Sequence, residues 1–363
     1  MKISLLNLAL FLVLMALATP PGIAFSATNN HTADAGRKFV ELLASNDTPS
    51  YANMRAFREV EFTVGHGKSP LPGTLTLPKN GKGPWLAVVL VHGSGPEDRD
   101  ETIGGAKVFR DLAQGLATKG IAVLRYEKRT RQYPITDYWK QGFGQFTVHE
   151  ETIDDAVSAV AQLRTRNDID PKRVFVLGHS LGGMVAPRIA QADPQIAGLV
   201  FLAGAVRPFE EVIVEQVRYI TSLHGKPSAE EDAYLTQVEA DANKLKQLTV
   251  ADASSRIILF GAPVAYWLDM REHDCLAAAK QIQQPMLFLQ GRRDYQVTIK
   301  DYEIWRTGLA DHPRVTFKLY PQLNHLFVTG TGKSTPTEYE QLGHVDAHVV
   351  TDIAGWILEN QKP

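Results

Sequence analysis

Apolar and polar positions along the chain follow two alternating periods. The segments 58–64 (REVEFTV) and 71–77 (LPGTLTL) alternate on either side of a turn containing Gly, Ser and Pro, which predicts an antiparallel hairpin. Short continuous apolar runs follow at 86–91, 121–125, 174–177, 196–202 and 286–289, and these read as strands buried on both faces. The segment 315–320 (VTFKLY) alternates again, as an outer strand does. Between the strands, apolar residues recur at helical spacing over 107–119, 150–166, 184–191, 300–309 and 345–360. Strands alternating with helices predict an α/β fold, an eight-stranded mostly parallel sheet with helices on both faces.

One interval interrupts this rhythm. Residues 207–284 are polar, charged and mostly helical in pattern, and a long insertion at that point is expected to fold as a helical cap over the C-terminal edge of the sheet. The core is then 58–206 together with 285–363. At the N-terminus, Lys2 precedes an apolar run over 8–18, Pro20-Pro21-Gly22 breaks it, and Ala24 and Ala27 offer cleavage points. The run is shorter than the ~20 residues that span a bilayer, so 1–27 reads as a cleaved signal peptide and the protein as periplasmic or secreted. A helical leader, 28–57, follows, with helical spacing over 33–44. The single cysteine, Cys275, excludes an internal disulfide and reads as a packed thiol. A formal net charge of −2 without a basic run argues against a nucleic-acid partner, and no second long apolar segment argues for a membrane span. Oligomeric state is left open.

The chemistry centres on 173–184, RVFVLGHSLGGM. Four apolar residues lead into Gly178-His179-Ser180-Leu181-Gly182, and a helical pattern begins just after; this is a G-x-S-x-G nucleophile elbow in strand–turn–helix context. Serine needs a base to take its proton and an acid to orient that base, in the chain order Ser, Asp or Glu, His. Asp294 follows the seventh strand and His325 the eighth, on the same sheet edge as Ser180. Asp301 and Asp311 lie too far into or past the next helix, and His344 and His348 read as surface residues at the start of the last helix, without a third metal ligand. His179 reads as packed against a neighbouring loop. After the third strand, Val91-His92-Gly93-Ser94-Gly95-Pro96 supplies small residues, so the N–H groups of Ser94 and Leu181 are the expected oxyanion donors.

Five stretches, HGSGPEDRDE (92–101), RYEKRT (125–130), GHSLGGM (178–184), QGRRDYQV (290–297) and LNHLF (323–327), together resemble the α/β-hydrolase superfamily. They look like a group of bacterial esterases and lipase-like hydrolases described as dienelactone-hydrolase-like or serine-aminopeptidase-like. The nucleophile here is Ser180, whereas dienelactone hydrolases use cysteine. The resemblance implies an exported serine hydrolase that cleaves a small-molecule carboxylic ester through an acyl-enzyme on Ser180, without a cofactor or metal. An aminopeptidase of the proline-iminopeptidase kind would use the same three residues plus a cap acid, for which Glu210, Glu211 and Glu215 are available. An acyl-thioesterase acting on coenzyme A is disfavoured by export, and a non-catalytic binding protein by the filled catalytic positions. Tyr266 and Trp267, in the most aromatic part of the insertion, are expected to line the acyl pocket. Asp98 or Asp100 is expected to pair with Lys128 or Arg129 and so brace the oxyanion loop.

Overall fold

The computed structural model describes residues 48–65, 69–133 and 146–360. The expected signal peptide and the helix over 33–44 lie outside the described residues, as does most of the leader. The main sheet has eight strands: β1 (Phe57–Val64), β2 (Leu71–Pro78), β3 (Trp85–Val91), β4 (Ala122–Tyr126), β5 (Ile169–His179), β6 (Leu199–Leu202), β7 (Met286–Gly291) and β8 (Val315–Tyr320). Their order in space is β1-β2-β4-β3-β5-β6-β7-β8. β2 pairs antiparallel with both β1 and β4, and the remaining neighbours are parallel. The longer helices among the described residues are α1 (Val108–Thr118), α2 (Asp154–Arg164), α3 (Leu181–Ala192), α4 (Phe209–Ser222), α5 (Ala229–Gln247), α6 (Val264–Glu272), α7 (Cys275–Gln281), α8 (Ile299–Gly308) and α9 (Ala347–Glu359).

Continuous apolar runs are what a doubly covered strand requires, because successive side chains leave on opposite faces. In β3, Ala87, Val89 and Val91 join the apolar layer under α2, α3 and α8, while Leu86, Val88 and Leu90 join the layer under α1 and α9. Val174 and Val176 divide from Phe175 and Leu177 in the same way along β5. β5 begins at Ile169, earlier than its apolar run, because the ladder to β3 resumes at Trp85↔Ile169 beyond a register shift. Asp170, Pro171, Lys172 and Arg173 therefore belong to the strand although they lie partly or fully exposed.

The interval between β6 and β7 holds α4 to α7 and a two-strand hairpin, Ile258–Leu259 with Ala262–Pro263. A capping box from Ser228 and Glu231 starts α5, and the Asp274 side chain caps α7 by accepting from Ala277 N–H. α4 and α5 pack on each other, whereas α7 packs back on α3 and α8. Charged side chains tie this segment to the core. Arg188 of α3 makes two bonds to Asp269 of α6, at 3.1 and 2.8 Å. Asp301 of α8, with no exposed surface, accepts from the N–H groups of Val206 and Arg207 at 3.0 and 3.1 Å and from two nitrogens of the Arg207 side chain at 3.1 and 2.6 Å. It thereby pins the chain where it leaves the sheet. Replacing Asp301 with Ala leaves the Val206 and Arg207 N–H groups without their acceptor and Arg207 with Glu215 as its remaining carboxylate partner, and should lower unfolding free energy by about 2–3 kcal/mol in urea titrations; a loss under ~1 kcal/mol would show that the anchor is dispensable.

Candidate active site

The elbow is held open by a lack of side chains. A Cβ at Gly178 would lie 2.2 Å from the carbonyl carbon and oxygen of Gly182, and one at Gly182 would lie 2.2 Å from the carbonyl oxygen of Val91. No L-residue larger than glycine fits either position without moving backbone. Between them Ser180 sits at φ 54° and ψ −115°, a conformation that costs a non-glycine residue about 1–3 kcal/mol. The strain is held by Ser180 N–H donating to Leu202 O at 2.8 Å and by Ser180 O accepting from Met184 N–H at 3.1 Å. α3 begins at the next residue, so the Leu181 N–H lies in its first turn.

Asp294 and His325 meet. His325 Nδ1 donates to Asp294 Oδ2 at 2.7 Å, and both side chains are buried. The same Asp294 oxygen accepts from Gln290 Nε2 at 3.0 Å, and its other oxygen accepts from the N–H groups of Gln296 and Val297 at 2.8 and 3.0 Å. Four donors therefore fix the orientation of this carboxylate. The loop bearing His325 is drawn to the elbow by His179, whose Nε2 lies 3.0 Å from the His325 carbonyl oxygen, with the two rings 4.7 Å apart. Asp301 is committed to Arg207 instead. His344 is bound to the buried Asp111 at 2.9 Å rather than lying free on the surface, while His348 pairs with Asp346.

Gly93 comes so close to the elbow that a Cβ there would lie 3.2 Å from Ser180 Cβ. Both polar groups of Gly93 are taken. Its N–H donates to Glu101 Oε1 at 2.9 Å, and its carbonyl oxygen accepts from Lys128 Nζ at 2.7 Å. The Gly93–Ser94 peptide is trans, so gripping its oxygen turns the Ser94 N–H to the opposite side. Lys128, itself buried, also pairs with Glu151 at 3.3 Å, and Glu151 accepts from Thr130 Oγ1 at 2.9 Å and from the Tyr266 hydroxyl at 2.8 Å. Charge pairing thus differs from the expectation. Asp98 caps its own turn by accepting from Asp100 and Thr102 N–H, Asp100 pairs with Arg125 at 3.0 Å, and Arg129 pairs with Asp155. Trp267 lines a cavity of about 330 Å³ together with Met184, Val206, Phe209, Glu210 and Met270, while its indole N–H donates to Leu259 O at 2.8 Å. Tyr266 turns its hydroxyl toward Glu151.

A model of the serine aminopeptidase S33 family matches residues 84–331, the span from β3 to the loop after His325. The chain belongs to this family. It is 43% identical over 316 residues to esterase EstD of Thermotoga maritima, covering 86% of this chain and 70% of that protein. Among solved structures, an esterase of Pyrococcus furiosus aligns over 94% of this chain and 97% of its own with a TM-score of 0.52 at 15% identity. Est1E of Butyrivibrio proteoclasticus aligns over 83% and 98% with a TM-score of 0.52 at 14% identity. The fold is that of the α/β-hydrolases.

Sequence reasoning placed Lys128 against the loop after β3 but with a different acid, and it passed over Glu101 and Glu151 as parts of the buried network around Gly93. Glu101 lay inside an acidic run and Glu151 at a helix start, where carboxylates are ordinary; a positive φ of 49° at Glu101 becomes visible only in three dimensions. Among the described residues no group of three or more His, Cys, Asp and Glu side chains could hold a metal ion. The Cys275 thiol is buried and its pKa is pushed up to about 12, chiefly by burial, which makes it unreactive. Burial, and then the neighbouring Glu101 charge, push the Glu97 pKa up to about 8. An acid with a raised folded-state pKa stabilises the fold below its unfolded pKa and loses that contribution as pH climbs to the folded value. Glu97→Gln should therefore gain stability relative to the native protein between pH ~4.5 and ~8, by a few kcal/mol at most, with no further gain above. Thermal melts at pH 4.5, 6.5 and 9 check this; an equal difference at all three values would exclude a protonated Glu97.

Proposed function

We propose that this protein is an exported serine hydrolase of carboxylic esters. Ser180 is the nucleophile, His325 takes its proton and returns it to the departing alcohol, and Asp294 holds the imidazole in the tautomer that presents Nε2 to the serine. The observation that carries this reading is the 2.7 Å bond from His325 Nδ1 to Asp294 beside a strained, glycine-flanked serine. In the first step the serine oxygen adds to the ester carbonyl and the carbonyl oxygen takes the negative charge. The N–H groups of Ser94 and Leu181 receive that oxyanion, the first aimed by Lys128 behind its peptide and the second aided by the start of α3. Collapse expels the alcohol, and water, activated by the same histidine, frees the acid.

The ester preference is supported by the 43% identity to EstD over 316 residues. The cavity beside Trp267 shares Met184 with the elbow helix, and its wall also carries Glu210, Arg271, Glu272, His273 and Asp274, so the placing of Trp267 at the acyl group rests on that one shared residue. Tyr266 is reassigned from the pocket wall to the Glu151 network. An aminopeptidase reading keeps one specific support. Glu211 and Glu215 are neutralised by Lys246 and by Arg207 with Lys300, whereas Glu210, buried on the cavity wall, carries no ion pair among the described residues. Rates on matched esters and aminoacyl amides separate the two readings. Export rests on the 1–27 pattern, and N-terminal sequencing of the protein recovered from the periplasm or medium tests it.

Ser180→Ala should abolish ester turnover and fluorophosphonate labelling while leaving the melting curve intact; residual turnover in a clean preparation would remove Ser180 from its role. Asp294→Asn should lower kcat by about 10⁴-fold, and a larger loss from Asp301→Asn, measured on folded protein, would assign the acid elsewhere. Lys128→Met, which keeps volume but frees the Gly93 carbonyl, should cost about 10²-fold in kcat and weaken a trifluoromethyl ketone inhibitor in parallel. A change confined to KM would instead make Lys128 a substrate-binding residue.

A further inference from the structure

Two buried residues beside the site have no assigned part in the chemistry above. Glu101, without exposed surface, accepts the Gly93 N–H at 2.9 Å through one carboxylate oxygen and lies 3.0 Å from His179 Nδ1 through the other. The second ring nitrogen of His179 lies 3.0 Å from the carbonyl oxygen of His325. One side-chain pair thus spans the loop after β3, the elbow and the loop after β8. These are the three places from which the proposed oxyanion donor, nucleophile and base project.

Proton counting restricts its state. A carbonyl oxygen can only accept, so His179 Nε2 carries a hydrogen. The contact between Nδ1 and the carboxylate needs a hydrogen of its own, and a neutral imidazole has just one N–H. Between them Glu101 and His179 therefore hold two protons, either as carboxylate and imidazolium or as carboxylic acid and imidazole. Surroundings select the charged form. Burial by itself would raise the Glu101 pKa and lower that of His179, but their mutual charge and hydrogen bond reverse both, so Glu101 falls and His179 rises. The other titratable groups facing His179 are Asp294, which favours its charge, the His325 ring at 4.7 Å, and Glu97, itself pushed up to about 8.

We propose that Glu101 and His179 form a buried carboxylate–imidazolium clamp whose task is to hold the oxyanion loop and the His325 loop at a fixed spacing about Ser180. They are positioning residues. The proposal rests on the serine-hydrolase reading of the site. It also accounts for a charged pair kept in an interior where desolvation makes such a pair a poor source of stability.

Glu101→Gln separates hydrogen bonding from charge. Its amide oxygen can still accept from Gly93, and its amide nitrogen can donate to Nδ1 of a neutral His179 that keeps its Nε2–H bond. The test is carried out on the whole protein with a chromogenic ester. Glu101→Ala should lower kcat by about 10²-fold with KM within about threefold, and Glu101→Gln should restore kcat to within about tenfold of the native value. His179→Asn, which reaches Glu101 but not the His325 carbonyl, should lose kcat like Glu101→Ala while keeping its fold, and it stands in if Glu101→Ala does not fold. In ¹⁵N-histidine spectra, His179 should show both nitrogens protonated in the native protein and one in Glu101→Gln. Normal kcat in folded Glu101→Ala or His179→Asn, a loss confined to KM, or a singly protonated His179 in the native protein would each overturn the clamp. Those results leave fluorophosphonate labelling of Ser180 intact, whereas failure of the hydrolase reading abolishes labelling itself.

Discussion

The contact between the elbow and the end of β3 sets the terms for everything around it. Gly182 lies against the Val91 carbonyl, and Gly178 against Gly182 itself, with no room for a methyl group at either position. This approach can form only where two parallel strands are neighbours and the second runs straight into a helix, which is what β3, β5 and α3 supply. Once made, it puts the loop after β3 against Ser180 and obliges that loop to be built of small residues. Small residues have little stiffness of their own. The polar side chains buried nearby supply what the glycines lack.

Those side chains are expensive to bury. Glu101, His179, Lys128, Glu151 and Glu97 lie in an apolar interior where each charge loses its hydration. The arrangement offsets much of that cost by closing hydrogen bonds on the same few atoms: Gly93 is held from its nitrogen and its oxygen by opposite charges. Glu97 stands apart, since its protonated form fits the site better than its ionised one. Stability is thereby exchanged for a fixed set of donor directions, the usual compromise at a preorganised site.

The insertion is joined to this frame through ionic and aromatic contacts rather than a broad apolar seam alone. Arg207 with Asp301 fixes its entry, Arg188 with Asp269 fixes α6 over α3, and Tyr266 reaches Glu151 behind the loop after β3. On its far side Tyr219 stacks on Tyr295 at 5.1 Å, next in the chain to Asp294, and donates to Ser334 O at 2.8 Å. The segment that walls the cavity therefore touches the framework of the site at several separate points, so its position and that of the loops are coupled through short, directional contacts.

Much of this was written in local pattern. Apolar runs of strand length, helical spacing between them and a glycine-flanked serine are properties of neighbouring residues, and they determined the α/β class, the position of Ser180 and the strand ends that bring Asp294 to His325. Separation along the chain marks what could not be read that way. Glu101 and His179 are 78 residues apart, and His179 and the His325 carbonyl 146 apart. Asp98, Asp100, Lys128 and Arg129 do belong to loops that face one another, but charge alone does not say which acid meets which base. Tertiary packing decides that, by burying some of these groups beside a free backbone donor or acceptor and leaving others in water. Tyr266 and Trp267 are adjacent in sequence and aromatic alike, and it is the helix turn between them that sends one to a carboxylate and the other to a cavity wall.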